Sequence, residues 1–331
     1  MGNLFTRLLA IDLPIVQAPM GRATSAAFAA AVSNAGGLGM LALGWSTPDA
    51  VRDQIRATKA LTPRPFGVNL VLNQPQEERL ALALADGVRV ISFFWGSAGH
   101  ELIEVAHRGG AKVLHTVCSA ADARRAMDDG ADVVVAQGWE AGGHVYGSVA
   151  TLALVPAVVD QVGKVPVVAA GGIADGRGLA AVLALGASGA WIGTRFLSAH
   201  EAAIHPRYRD LLLAATETET EYGTLYDGTW PDAPHRTLRN STIRAWEAAG
   251  RPDSGDRPGE GEIVGRWSDG HVVRYQSHTP THDTEGDIEA MSLWAGQGVT
   301  LVHKTQPAAD IVREIAGEAR AILQQLGIAP F

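Results

Sequence analysis

From Ile15 to Phe196 the chain alternates between short apolar runs and longer segments rich in alanine, leucine and charged residues. The short runs predict buried β-strands, and the segments between them predict helices that pack on a sheet. Eight successive strand–helix units predict an α/β fold, a TIM-type (β/α)8 barrel. The predicted strands begin at or near Ile15, Leu38, Phe66, Val88, Lys112, Val133, Val165 and Ala190.

Turn-forming residues mark the boundaries between these elements. Gly36 and Gly37 follow an alanine-rich segment in the way that glycine ends helices. Thr47 followed by Pro48 predicts a helix start, because threonine caps the first amides and proline fits the first helical position. A doubly wound open sheet is the alternative architecture. No GxGxxG turn follows the first predicted strand, however, as a dinucleotide-binding fold would require.

The regular alternation ends after Phe196. A helix is predicted around 206–216, and a polar segment rich in glycine, proline and aspartate follows it. We predict that 212–297 forms a second, smaller α+β domain, inserted after the eighth strand as a substrate lid over the barrel. A long functional loop is the alternative, although structureless loops of that length are uncommon. The remaining parts are the barrel itself, over 1–211, and a C-terminal helical segment over 298–331 that packs back on it.

Composition and charge narrow the class of protein. Apolar residues make up 47% of the chain and aromatic residues only 6%, with 38 glycines, which is typical of a globular α/β protein. The formal charge of -8 and the lack of a basic block argue against a nucleic-acid partner. No apolar run is long enough for a membrane span, and the N-terminus lacks a secretory layout, so a soluble cytoplasmic protein is expected. The single Cys118 excludes an internal disulfide, and we interpret it as a packing residue.

Glycines follow the last two predicted strands, within VPVVAAGGIADGRGLAAVLALGASGAWIGTRF (165–196). Gly171 and Gly172 end the seventh strand, and Gly193 and Thr194 end the eighth. Neighbouring parallel strands that end in this way offer backbone N–H groups and a helix start to one phosphate. The sequence therefore predicts a mononucleotide phosphate site; tight turns alone are the other interpretation of these glycines.

Two histidines lie near the predicted strand ends. His144 falls in the loop after the sixth strand, beside the phosphate site, and is our candidate for catalysis. Gly142 and Gly143 precede it and allow the backbone to pass close to a flat ligand. His115 lies inside a strand, and the sequence leaves open whether it faces the barrel mouth or the core.

Six motifs resemble the nitronate monooxygenases, flavin enzymes formerly called 2-nitropropane dioxygenases. They occur in order along nearly the whole chain: QAPM at 17–20, PFGVN at 65–69, QGWEAGGH at 137–144, AAGGIADG at 169–176, WIGTRF at 191–196 and WAGQGV at 294–299. The combination of EAGGH, AGGI and GTRF is specific to this superfamily, whereas each piece alone is not.

The resemblance implies an FMN cofactor bound without a covalent link, and no metal. It implies that Gly171, Gly172, Gly193 and Thr194 surround the phosphate, and that His144 is the catalytic residue. The substrates it implies are an alkyl nitronate and O2, which yield a carbonyl compound and nitrite. The oligomeric state is not determined by the pattern, and a homodimer is one expectation. The resemblance implies that Gln297 closes the site from the returning segment, and that Ala18 and Gly142 also bind the cofactor. The residues implied to flank the flavin ring and ribityl chain are Met20, Asn69, Gln137 and Gly143.

Some features depart from this family pattern or point elsewhere. Trp139 is bulkier than expected, and TLYDGTWPD (224–232) is particular to this chain. NAD(P)H-dependent reductases of the same superfamily, of the quinone reductase or enoyl-ACP reductase type, share the EAGGH and GGI elements. A non-enzymatic flavin-binding protein is a further alternative. A metal-dependent hydrolase or lyase is suggested by His278, His282, Asp283 and Asp287, but Pro280 disfavours the helix that such a His-x3-His pair would need.

Overall fold

A computed structural model describes residues 3–328 of the chain. Residues 1–2 and 329–331, which end the predicted segments 1–211 and 298–331, lie outside the described residues. Eight parallel strands form one sheet, and a two-residue strand, β7 (Gly143–His144), lies in the loop after the sixth. The eight are β1 (Ile15–Gln17), β2 (Gly39–Ala42), β3 (Phe66–Val71), β4 (Val90–Phe94), β5 (Lys112–Val117), β6 (Val133–Gln137), β8 (Val167–Ala170) and β9 (Gly189–Ile192).

The sheet curls back on itself. Its strand order is β1-β9-β8-β6-β5-β4-β3-β2, with every neighbouring pair parallel. A parallel bridge between Val16 and Leu38 joins β1 to β2 and completes the circle. The predicted (β/α)8 barrel is therefore confirmed. The predicted strand starts at Val88 and Val165 lie two residues before the observed starts at Val90 and Val167.

Helices surround the barrel and follow the predicted alternation. Thr47 caps α3 through its side chain, with Pro48 at the first helical position, as predicted. The eighth barrel helix is α12, which packs against α8 and α2 after a long excursion of the chain. The helices are α1 (Leu4–Leu9), α2 (Ala26–Asn34), α3 (Pro48–Leu61), α4 (Glu77–Ala85), α5 (Gly99–Arg108), α6 (Ala120–Asp128), α7 (Thr151–Val162), α8 (Gly176–Ala184), α9 (Thr194–Leu197), α10 (Pro206–Ala214), α11 (Ser241–Ala248) and α12 (Ala308–Gln325).

The core has an inner layer within the barrel and an outer layer between strands and helices. Inner residues such as Met40, Leu114 and Val168 form one buried cluster, and Phe5 of α1 joins it from below. Alternate strand residues such as Val113 and Val117 belong instead to the outer clusters. Because side chains alternate along a strand, the carboxyl ends of the strands and the loops after them are left to form a site.

The segment between α9 and α12 contains helices and strands of its own. Strand β7 of the barrel loop pairs with β11, so the small sheet β10-β11-β7 joins 212–297 to the barrel mouth. A second sheet has the order β13-β12-β14. The strands are β10 (Thr220–Gly223), β11 (His235–Leu238), β12 (Ile263–Trp267), β13 (Gly270–Val273) and β14 (Glu285–Gly286), and short 3-10 helices cover Ile288–Ala290 and Gln297–Leu301. None of the helices within residues 3–328 has the length and apolar character to cross a membrane.

Candidate active site

The glycines after β8 occupy conformations that other residues rarely adopt. Gly171 has φ of +103° and Gly172 has φ of +72°. A Cβ atom on Gly171 would lie 3.0 Å from both the carbonyl oxygen of Gly138 and Oγ1 of Thr151. Gly171 is therefore required both for its backbone angle and for the close approach of the loop after β6.

The glycine after β9 borders the residues that follow β1. A Cβ atom on Gly193 would lie 3.6 Å from Cβ of Ala18 and 3.7 Å from the sulfur of Met20. The amide of Ala18 donates to the carbonyl of Ile192 at 2.8 Å, which fixes this neighbourhood. Gly193 caps the short helix α9, whose first residue is Thr194. Predicted residues from two separate motifs, QAPM and WIGTRF, thus lie side by side.

A returning segment, defined here as Trp294–Gly298, crosses these strand ends. Its Gly296 amide donates to Oγ1 of Thr194 at 2.9 Å, and its Gln297 amide donates to the carbonyl of Glu140 at 2.9 Å. A Cβ atom on Gly142 would lie 2.4 Å from the Gly296 nitrogen, so Gly142 serves this close packing. Gln297 is thereby held beside the loops after β6 and β9.

Glu140 has a role that the sequence analysis did not identify. Its carboxylate accepts the backbone amide of Thr151 at 2.9 Å and the Thr151 hydroxyl at 3.0 Å. Thr151 begins α7, and its hydroxyl also lies 3.0 Å from the carbonyl of Gly171. Glu140 therefore caps α7 and connects that helix start to the glycine loop. The sequence contained one indication of this role, because a carboxylate is favoured at the start of a helix. Glu140 lies eleven positions before Thr151, however, so the sequence alone does not pair the two residues.

His144 lies on β7, opposite His235 of β11, and is surrounded by aromatic rings. The indole of Trp230 is nearly stacked on the imidazole, with centroids 4.1 Å apart and planes at 30°. Trp294 lies at 5.2 Å and Trp95 at 5.8 Å. Trp95 follows β4 with φ of +71°, a strained angle for a large side chain. The three tryptophans come from distant parts of the chain.

Burial keeps the imidazole of His144 neutral. Burial, together with a smaller contribution from the neighbouring His235, lowers the pKa of His144 to about 3. Nε2 of His144 is buried and has no hydrogen-bond partner among the described residues. Nε2 of Gln137 donates to the His144 carbonyl at 3.2 Å, while its buried Oε1 is also unpartnered within residues 3–328. Two polar atoms thus remain available at the mouth of the barrel.

His235 holds the loop that carries Trp230. Its Nε2 accepts the amide of Tyr226 at 3.1 Å, so its Nδ1 carries the proton that is donated to the Ala233 carbonyl at 2.8 Å. Burial lowers the pKa of His235 to about 4, which preserves this tautomer at neutral pH. His235 therefore fixes both ends of the Tyr226–Ala233 loop. Nothing in the sequence distinguished this histidine from the others.

The structure accounts for the bulky residue in the QGWEAGGH motif. The guanidinium of Arg236 lies over the indole of Trp139 at 4.4 Å and donates to the Trp139 carbonyl at 3.0 Å. Arg236 also donates to Thr220 at 3.3 Å and is almost fully buried. Burial lowers the pKa of Arg236, and the Glu140 carboxylate opposes that shift. The indole of Trp139 is therefore stacked against the guanidinium of Arg236, a residue of β11.

Two further candidates, Asn69 and His115, are held by hydrogen bonds within the barrel strands and the loops after them. Asn69 is buried on β3, where its Oδ1 accepts the hydroxyl of Ser92 at 2.6 Å. His115 follows the outward alternation of β5, with Nδ1 bonded to the Thr116 carbonyl at 3.1 Å and Nε2 accepting the Ala98 amide at 3.2 Å. Since both ring nitrogens are engaged, His115 has no free atom for a reaction at the mouth.

Two of the residues considered for a metal, His278 and Asp283, make other contacts. Asp283 pairs with Arg22 at 3.2 Å, and His278 lies against the indole of Trp267 at 5.4 Å. Burial and the Arg22 charge lower the pKa of His278 to about 4. Within residues 3–328, no group of three or more histidine, cysteine, aspartate or glutamate side chains is arranged to hold a metal ion.

Comparisons with known proteins give consistent matches along the chain. The family model of nitronate monooxygenase matches residues 3–80 and 75–318. A nitronate monooxygenase of Pseudomonas aeruginosa is 32% identical, with 97% of this chain and 100% of that protein covered. The structure of FabK from Thermotoga maritima has a TM-score of 0.81 at 32% identity and covers 99% of both chains.

A third relative carries a different name. It is (3aS,4S,5R,7aS)-5-hydroxy-7a-methyl-1-oxo-octahydro-1H-indene-4-carboxyl-CoA dehydrogenase of Mycobacterium tuberculosis, which is 39% identical over 249 residues. The alignment covers 74% of this chain and 68% of that protein. The named relatives therefore act on more than one class of substrate.

Proposed function

The chain belongs to the nitronate monooxygenase family of oxidoreductases, and we propose that it is an FMN-dependent nitronate monooxygenase. In this proposal it oxidises alkyl nitronates with O2 to a carbonyl compound and nitrite. The observation that carries it is the imidazole of His144, on β7 in the loop after β6, whose Nε2 is buried and has no hydrogen-bond partner among the described residues. Burial lowers the pKa of this imidazole to about 3.

The residues at the strand ends fit a flavin mononucleotide. Gly171 and Gly172 provide backbone with positive φ and no side chain, which suits a phosphate held by the main chain. Gln137 offers an unpartnered amide oxygen, and Gly143 faces open space where a flat ring can approach. The flavin would supply the electron transfer between nitronate and oxygen, and the protein would supply orientation and electrostatics.

His144 is suited to accept a proton in this site. A neutral imidazole can take the α-proton of a nitroalkane, whereas an imidazolium would be needed only to hold an anion. In the cofactor-free protein the low pKa favours the neutral form. Once proton transfer produces a nitronate next to the ring, the adjacent negative charge raises the pKa of His144 and stabilises the ion pair. The buried surroundings strengthen that attraction.

We further propose that 212–297 acts as the substrate lid. This segment places Trp230 against His144, and its strand β11 pairs with the catalytic loop. A lid that excludes water would strengthen the electrostatic interactions of the imidazole. The lid role also accounts for a segment of this length outside the barrel repeat.

Anaerobic reduction tests the proposal. The purified protein with FMN bound is mixed separately with propyl-2-nitronate and with NADH or NADPH, while the flavin spectrum is recorded. Reduction by the nitronate alone is the expected outcome. Reduction by the pyridine nucleotide alone would reject the monooxygenase and assign the protein to the reductases of the superfamily.

The second candidate is a flavin-dependent oxidoreductase that uses a pyridine nucleotide or a thioester substrate. It is favoured by the 39% identity to a dehydrogenase named for a carboxyl-CoA substrate. The neutral His144 would serve it equally well as a proton acceptor. Rapid bleaching of the flavin by NADH or NADPH, followed by reoxidation with a quinone or an enoyl thioester, distinguishes this candidate.

A further inference from the structure

A cavity of ≈ 400 Å³ opens on the outer side of the aromatic rings that surround His144. Its volume falls in the range of pockets that hold drug-sized ligands. Its walls come from the loop after β4, the end of β5, helix α6, the residue Tyr146 and the lid segment. The lining residues are Trp95, Gly96, Ser97, His115, Thr116, Val117, Asp122, Arg125, Ala126, Tyr146, Asp232 and Pro234.

One layer of rings separates this cavity from His144. Trp95 lines the cavity and also meets the imidazole edge-on at 5.8 Å. Tyr146, another wall residue, lies 5.2 Å from Trp95. Trp230 lies 4.8 Å from Trp95 on the His144 side, and Asp232 follows it in the chain at the cavity rim. A molecule that reacts at His144 therefore reaches the cavity when the side chain of Trp95 or Trp230 turns aside.

Several polar groups of the walls already have hydrogen-bond or ion-pair partners. Arg125 pairs with Asp122, and Oγ of Ser97 donates to Asp129 at 2.8 Å. The Tyr146 hydroxyl donates to the Thr116 carbonyl at 3.2 Å, and both nitrogens of His115 are occupied.

Apolar surface makes up somewhat more than half of the walls. It comprises the indole of Trp95, the ring of Tyr146, Val117, Ala126 and Pro234. Asp232, an exposed acid at the rim, disfavours an anionic group there. The walls thus suit an uncharged hydrocarbon group, since burying apolar surface is favourable and few polar atoms remain unpaired.

We propose that this cavity is the subsite for the tail of the substrate. The reacting carbon lies at His144, and an uncharged alkyl or aryl tail passes Trp95 and Trp230 to fill the cavity. This inference rests on the proposed function for its head group, since it places a nitronate or nitroalkane at His144. The preferred substrates are therefore long-chain or aryl-substituted compounds, for which the small propyl-2-nitronate is a poor representative.

Binding of straight-chain carboxylates tests the subsite without any turnover. A carboxylate is planar and singly negative, like a nitronate, and calorimetry with the FMN-loaded protein gives the affinity for each length from acetate to octanoate. Affinity is expected to rise about fourfold for each added methylene, which corresponds to ~0.8 kcal/mol per buried CH₂, until the cavity is full. Equal affinity for all chain lengths would overturn the proposal.

Two variants that fill the cavity from opposite walls locate the tail. Ala126→Phe acts from α6 and Ser97→Trp acts from the loop after β4, with Ser97→Ala as the control for the lost hydroxyl. Either filling variant is expected to lower octanoate affinity at least tenfold while acetate affinity is unchanged. Two folded, FMN-loaded variants that keep the full dependence on chain length would show that the tail lies elsewhere.

The two proposals fail in different ways. A protein that turns over no nitronate but binds longer carboxylates more tightly, with loss of that gain in the filling variants, retains the subsite and rejects the monooxygenase. A protein that oxidises nitronates of every length equally well, and binds every carboxylate equally, retains the monooxygenase and rejects the subsite.

Discussion

His144 lies between two regions that are built in different ways. On one side are the glycine loops after β8 and β9, where Gly171 and Gly193 leave the backbone bare. On the other side are the tryptophan rings at positions 95, 230 and 294, which approach from separate loops. The first region is made of main chain on a regular barrel, and the second is made of side chains on irregular segments.

Because the two regions are built differently, we expect them to tolerate amino-acid substitutions differently. A backbone site depends on φ angles and on the absence of Cβ atoms, so one methyl group can disturb it. A wall of aromatic rings depends on area and contact, and neighbouring rings can compensate in part when one is lost. We therefore expect the glycine side to determine whether the flavin binds and the aromatic side to determine which substrate reacts.

The largest effect is expected when the imidazole of His144, which lies between the two regions, is removed. With a neutral nitroalkane as substrate, His144→Ala and His144→Asn are expected to lower turnover about 10²–10⁴-fold, because a general base contributes that much, while the bound flavin keeps its colour. Steady-state oxygen consumption and the flavin absorbance measure the two effects. His107→Asn is the control, since His107 pairs with Asp132 on the surface. Normal turnover in the His144 variants would remove His144 from the mechanism.

The glycine side is tested by adding a single methyl group. Gly171→Ala places a Cβ in a left-handed backbone, which costs about 1–2 kcal/mol of stability, and within 3.0 Å of the Gly138 carbonyl oxygen. Because the loop must shift to relieve that contact, we expect FMN affinity to fall about tenfold, which corresponds to about 1.4 kcal/mol. Gly163→Ala is the matched control, with φ of +62° and open space around it at the end of α7. Both variants should lose some thermal stability. FMN release by ultrafiltration should increase in Gly171→Ala alone, and equal retention would contradict the assignment.

The aromatic side contains titrating groups, whereas the glycines do not titrate. Burial lowers the pKa of His144 to about 3 and of His235 to about 4, while the unfolded chain takes up these protons near pH 6.5. The free energy of unfolding is therefore expected to be constant above about pH 6.5. It should fall by up to about 1.4 kcal/mol per pH unit for each histidine between pH 6.5 and 4. Thermal melts at pH 7.5, 5.5 and 4.5 measure this change.

The variant His235→Asn separates the histidine contribution from that of the carboxylates. Asp283 has a pKa lowered to about 2, so its loss of stability lies below pH 4, outside the histidine window. The variant should melt at a lower temperature at pH 7.5, since it loses bonds to Tyr226 and Ala233, and its melting temperature should change less with pH. An unchanged pH profile would mean that His235 does not stay neutral in the folded protein.

Removing one ring of the aromatic side should have the smallest effect. Trp230→Ala uncovers one face of His144, and Trp95 and Trp294 still enclose the imidazole. We expect kcat/KM for a small nitronate to change only a few-fold and that for a branched nitronate to rise relative to it. FMN content should stay at the wild-type level. Loss of FMN from this variant would contradict the division between the two regions.

The barrel and the glycine loops could be predicted from the sequence because both are local. Strand, helix and glycine follow one another within short windows, and parallel strands bring their carboxyl ends together. The aromatic wall could not be predicted, since Trp230 lies in an irregular stretch far along the chain from His144. TLYDGTWPD was noticed as unusual, but no periodicity indicates where such a loop packs. His115 could not be oriented either, because both faces of a barrel strand are buried.

Cys118 is the single cysteine of the chain, and its environment determines how the Tyr226–Ala233 loop can be labelled. Burial raises the pKa of Cys118 to about 12, and its sulfur donates to Asp122 at 3.1 Å. At neutral pH almost none of it is thiolate, the form that reacts with maleimides and oxidants. A cysteine introduced on the exposed tip of the loop, at Thr229 for example, would thus be the only reactive thiol within residues 3–328. The wild-type chain is therefore a ready background for fluorescent or spin labels that report loop opening.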